Sequence, residues 1–273
     1  MITFSILRQI LLIFAFSMFI IDAFGQKLPN KQITSIHAPK EVKIDGRINE
    51  WVSGFGSYNK ATNFYCLLAN NDEKIYLTIK ITDPLIQKKV LRGGIIFTVS
   101  GKNTQPLSVT FPIIGEANAS AIGGLINKYS ATRKKNQTKS SLDSLLLSMN
   151  KQLLGSSKEI EIKGTHLITD SPISIYNTDG IKAGNAFDAA GALIFEFAID
   201  LRHLNLGSDF AGKLNYSILS NGIFARTKVV MLDGNAPPAT MVVIGSNIAG
   251  KSVIENQILN TDTRIDGTYL IVK

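Results

Sequence analysis

Between Lys74 and Asp83 the chain alternates Leu77, Ile79 and Ile81 with Tyr76, Thr78, Lys80 and Thr82. A period of two fits an extended strand with one face toward a core and the other polar. Asn70-Asn71-Asp72-Glu73 ahead of it is turn chemistry, Phe64 to Ala69 reads as its antiparallel partner, and Pro84 stops the strand. The same alternation recurs at Gly94 to Ser100 and at Leu193, Phe195, Phe197 and Ile199. Leu107 to Ile114, broken at Pro112, reads as an edge strand or one that bends there. Glu159 to Ile168, Ile173 to Tyr176, Lys213 to Asn221, Phe224 to Leu232, Met241 to Ile244 and Tyr269 to Val272 supply further short strands, while Gly180 to Ala190 is small and polar enough to be a loop. Leu142, Leu145, Leu146, Met149 and Leu153 instead fall at helical spacing, with Ser140 or Ser141 to begin the helix and Gly155 to end it. Many short strands and one helix predict an all-β antiparallel sandwich with a single helical insertion around residues 139–155.

The first 25 residues read as an export signal, with Arg8 before the apolar Ile10 to Ile21 and Ala23-Phe24-Gly25 as a small-x-small site. The apolar run is shorter than the roughly 20 residues a membrane span takes, so no span is expected after its removal. An uncleaved anchor is the alternative. Residues 26–273 then read as one domain carrying an insertion at 116–158, because no linker or repeat divides them. The lone Cys66 sits in an apolar run and is expected to be buried and inert. Much of the +8 formal charge lies in Lys128, Arg133, Lys134, Lys135 and Lys139; Tyr129 is the single aromatic among these cations and the chain is read as exported, so the run reads as a solvated loop and not as a nucleic-acid surface.

Val42-Lys43-Ile44-Asp45-Gly46-Arg47-Ile48-Asn49-Glu50-Trp51 reads as a short strand, a turn at Asp45-Gly46, and the chain's only tryptophan. Taken with Ile79-Lys80-Ile81-Thr82-Asp83, Gly94-Ile95-Ile96-Phe97 and Glu196-Phe197-Ala198-Ile199-Asp200-Leu201, it resembles, in order and spacing, the family 9 carbohydrate-binding modules of the DOMON-like group. The resemblance implies a jelly-roll-like sandwich, export, and sugar binding through aromatic side chains, sometimes with structural calcium. It makes Asp45, Gly46, Glu50, Trp51 and Asp83 motif residues with structural roles. The sugar-binding members clamp the ring between two tryptophans, and with one tryptophan here Trp51 is read as a packing residue.

The remaining candidates for chemistry are few. Gly245 to Ser252 fits a phosphate-loop pattern, but only 21 residues follow it, too few for the parallel sheet such a loop serves, so no nucleotide is expected. His37, His166 and His203 are scattered without metal-ligand spacing, and nothing selects a histidine–methionine pair for haem. Calcium could meet oxygens near Asp45, Asp83 or the Asn70 to Glu73 turn, though turn-forming roles explain the same residues; no other cofactor is expected. No carboxylate dyad and no Gly-x-Ser-x-Gly elbow is present, so the protein is read as non-enzymatic. A ligand would find its wall on polar strand faces, with Tyr76, Thr78 and Lys80 on one and Glu196 on another. The expected function is glycan or small polar ligand binding outside the cytoplasm, periplasmic or extracellular. An envelope structural or protein-interaction module without a small ligand is the alternative.

Overall fold

The computed structural model describes residues 27–135, 138–206, 210, 212–223 and 253–272. The signal segment, the strands read at Phe224 to Leu232 and Met241 to Ile244, and the phosphate-loop match lie outside the described residues.

Two antiparallel sheets carry the fold. The first contains β1 (Ser57–Asn59), β2 (Phe64–Asn70), β3 (Lys74–Ile81), β9 (Leu193–Asp200) and β8 (Ile181–Phe187), in that spatial order. The second runs β11 (Thr263–Leu270), β10 (Lys213–Ser220), β4 (Ile95–Ser100), β5 (Leu107–Phe111), β6 (Glu159–Lys163) and β7 (Ile173–Ser174). The hairpin read from the alternation is present, with Cys66 opposite Ile79 and Leu68 opposite Leu77. β5 lies between β4 and β6 and is no edge, because it ends at Phe111, before the proline that suggested one.

The sheets meet in one apolar core. Leu77 and Ile79 of β3, Phe195 and Phe197 of β9, Phe97 of β4 and Phe111 of β5 all belong to it. Phe97 and Phe111 from one sheet meet Phe197 from the other with ring centroids 6.0 and 6.2 Å apart. Cys66 is buried here, and burial pushes its thiol up to about 12, which leaves it inert at neutral pH.

The expectation of a single helix is corrected: the described residues hold α1 (Pro84–Gly93), α2 (Glu116–Lys134), α3 (Lys139–Ser156) and α4 (Val253–Asn260). Pro84 ends β3 as expected, but it also occupies the first turn of α1, where its missing N–H costs nothing. Asp83 caps this helix by accepting from Leu85 N at 2.7 Å and Ile86 N at 3.4 Å. That employs the carboxylate considered for calcium, and Asp83→Ala is expected to cost about 1 kcal/mol in urea unfolding. α2 buries Ala119, Ile122, Gly123, Ile126 and Tyr129 at helical spacing, a stripe that small residues hide in the sequence. The α3 helix read from the leucines runs through Gly155 to Ser156 and starts after Thr138. It rests on β8 through Asn150, which donates to Phe187 O at 3.0 Å and accepts from Phe187 N at 2.7 Å.

Candidate functional site

Cross-strand register decides which side chains share the outer face of the five-stranded sheet. Tyr58 pairs with Tyr65, Tyr65 with Lys80, Thr78 with Glu196, and Tyr76 with Ala198. Directly opposed residues point to the same side. Tyr76, Thr78, Lys80 and Glu196 therefore lie on one face, which corrects the expectation that Glu196 belongs to another.

Most of that face is covered. Residues 36–55 cross it and form a second apolar cluster in which Ala38 and Trp51 pack with Leu67, Ala69, Tyr76 and Ala198, flanked by Val42, Ile44 and Ile48. Trp51 meets Tyr76 edge-on at 5.9 Å. Tyr76, Thr78 and Glu196 are 5%, 1% and 1% exposed, so none of the three presents a wall to solvent.

Glu196 holds the covering segment down. Its Oε1 accepts from Trp51 Nε1 at 3.0 Å, and its Oε2 from Gly46 N at 2.9 Å and Asp45 N at 3.1 Å. Residues 42–45 form no strand, and the backbone donors of Asp45 and Gly46 go to this carboxyl and not to a neighbouring strand. The approach also needs small residues on both sides. Gly46 adopts φ +80°, and a Cβ there would overlap the backbone of Asn185 and Ala186; one on Gly184 would come within 2.7 Å of Ile44 O. The small-residue stretch taken for a loop is thus strand β8, kept small by the chain lying across it. Asp45 also accepts from Arg47 N at 3.0 Å, and Asn71 Oδ1 accepts from Glu73 N and Lys74 N at 3.0 and 2.7 Å. Both oxygens considered for calcium therefore close turns.

Burial pushes the Glu196 carboxyl up to about 7, against the pull of its three hydrogen bonds and with a smaller push from Asp45. Below about pH 4.5 the group is protonated in folded and unfolded chains alike, so its contribution to stability is complete. As pH rises toward 7 the unfolded chain releases the proton first, and stability falls by roughly 3 kcal/mol. Urea unfolding at pH 5 and pH 8 is expected to show this fall in the wild type and its absence in Glu196→Gln.

Beyond the covering segment the face is half-buried. The Tyr58 and Tyr65 rings lie 4.6 Å apart, Phe55 at the end of the covering segment meets Tyr65 at 5.9 Å, and all three are half-buried. Tyr58 Oη donates to Asn63 Oδ1 at 2.8 Å. Lys80, next in the row, pairs with Asp188 at 3.1 Å, each side chain about a quarter exposed. Of the four residues expected to line a ligand site, only Lys80 reaches this half-buried part. The register could have suggested Tyr65 from the hairpin alone, but nothing local indicates that a remote segment covers Tyr76 and Thr78.

No family model, curated protein or solved structure matches this chain.

Hollows lie elsewhere among the described residues. One, of about 570 Å³, runs between residues 32–35 and the end of the second sheet at Lys213, Thr268 and Leu270. Another, of about 260 Å³, is lined by Gln105, Gly164, Thr165, His166, His203 and Asn205, so two of the three histidines scattered in sequence share one cavity. Among the described residues no group of three or more His, Cys, Asp or Glu gathers as a metal cluster. None of the described helices is long and apolar enough to cross a membrane.

Proposed function

We propose that this chain is an exported, non-catalytic module with a jelly-roll-like β-sandwich fold, similar to family 9 carbohydrate-binding modules, that binds a glycan or other small polar ligand. The observation that carries the reading is the half-buried row of Tyr58, Tyr65 and Lys80 on the outer face of the first sheet, with Phe55 at the end of the covering segment packed against Tyr65. Aromatic rings offer apolar faces to the C–H side of a sugar. Asn63, Lys80 and Asp188 supply donors and acceptors at their margin, the mixture a polar ligand site requires. The residues read from sequence move accordingly: Tyr76, Thr78 and Glu196 support the platform's sheet from beneath the covering segment, and Lys80 borders the platform. A glycan array followed by affinity electrophoresis tests this, with retardation on at least one polysaccharide expected and retardation on none contradicting it.

A second reading, an envelope interaction module without a small ligand, is favoured by α3. Leu147 is 72% and Leu154 56% exposed, two turns apart with Lys151 between them. Its mark would be a protein complex lost in Leu147→Asp.

A further inference from the structure

The cavity holding two histidines lies away from the aromatic row, where the chain leaves β9 in the 3-10 turn Leu201–Leu204. His203, in that turn, is 4% exposed. Its Nε2 lies 2.7 Å from Asp179 O, and its Nδ1 lies 3.3 Å from Thr165 Oγ1. A carbonyl oxygen only accepts, so in the neutral ring the proton sits on Nε2 and the Nδ1 lone pair accepts from the Thr165 hydroxyl, a bond that an ion would replace. This is the arrangement in which metal-ligating histidines are held, one ring nitrogen donating to a backbone carbonyl so that the other is fixed in tautomer and direction.

The opposing loop is equally well placed. Gly164 has φ +90°, and a Cβ there would overlap Pro106 O, so the loop packs directly on the segment that carries Gln105. Thr165 Oγ1 accepts from Leu167 N at 3.2 Å, closing a turn that presents His166 next in the chain and exposed. His166 follows the residue that touches His203 Nδ1 and lines the same cavity. Gln105 and Asn205 add amide oxygens to the lining.

We propose that this cavity binds one late first-row divalent transition ion through His203 Nδ1 and the imidazole of His166, with neutral oxygens and water completing the shell. Imidazole and neutral oxygen donors favour Cu²⁺, then Ni²⁺ and Zn²⁺, and suit Ca²⁺ and Mg²⁺ poorly, because no carboxylate lines the cavity.

Isothermal titration of the full chain with CuCl₂, NiCl₂, ZnCl₂ and CaCl₂, with electron paramagnetic resonance of the copper form, tests the site. One Cu²⁺ per chain with nitrogen splitting is expected, and no Ca²⁺. His166→Ala, at an exposed position, is expected to weaken binding by about tenfold or more. His203→Ala should weaken it further, and His37→Ala should leave it unchanged. Because His203 also bonds Asp179 inside the fold, His166→Ala is the deciding variant. No Cu²⁺ bound by the wild type, undiminished binding by His166→Ala, or loss in His37→Ala would overturn the assignment.

Discussion

Trp51→Ala is expected to destabilise the protein by about 3–5 kcal/mol in urea or guanidinium unfolding followed by circular dichroism. The indole is 6% exposed and packs on Tyr76, so truncation opens a cavity under residues 36–55. It also removes the Nε1 donor from a buried carboxylate. Trp51→Phe separates most of the two effects: it keeps a smaller ring against Tyr76 and loses the hydrogen bond, for which about 1.5–3 kcal/mol is expected. Equal losses in the two variants would mean that the ring contributes little and that residues 36–55 are held by Glu196 alone.

Glu196→Ala attacks the same contact from the sheet side. It strands three donors, Gly46 N and Trp51 Nε1 in buried positions and Asp45 N in a part-buried one. Each orphaned donor costs about 1–3 kcal/mol. The variant also relieves the burial that pushes the carboxyl up to about 7, so the net loss depends on pH. About 3–5 kcal/mol is expected at pH 5, where the wild type pays little for the group, and visibly less at pH 8. Glu196→Gln keeps one acceptor and is expected to fall between wild type and Glu196→Ala at pH 5. A loss that grows with pH would contradict the direction assigned to the carboxyl.

What the sequence made legible follows from how local each signal is. The β2–β3 hairpin and β9 declare themselves by alternation over eight or fewer residues, and their register follows from which side chains are apolar. α3 declares itself by its leucines. α1 is missed because Pro84 suits a strand's end and a helix's beginning equally, and Asp83 before it decides for the helix. β8 is missed because its one glycine, Gly184, and its Ala186 answer to Ile44 and Gly46, about 140 residues away, and not to a strand's usual need for bulk. The candidate site fails for the same reason. Tyr76, Thr78 and Glu196 look like a wet polar face until a segment from the start of the chain lies over them, and the Trp51–Glu196 bond spans 145 residues. The motif's Asp45, Gly46 and Trp51 were legible as structural, and the structure supplies the reason: all three bring hydrogen-bond donors to one carboxylate.

The division of the outer face into a covered part and a half-buried aromatic row is the centre of this account. Affinity electrophoresis of the wild type, Tyr65→Ala and Tyr76→Phe, on a polysaccharide selected by the glycan array, tests it most directly. Retardation kept by Tyr76→Phe and lost by Tyr65→Ala is the expected result. Tyr65→Ala retarded as strongly as the wild type would contradict it.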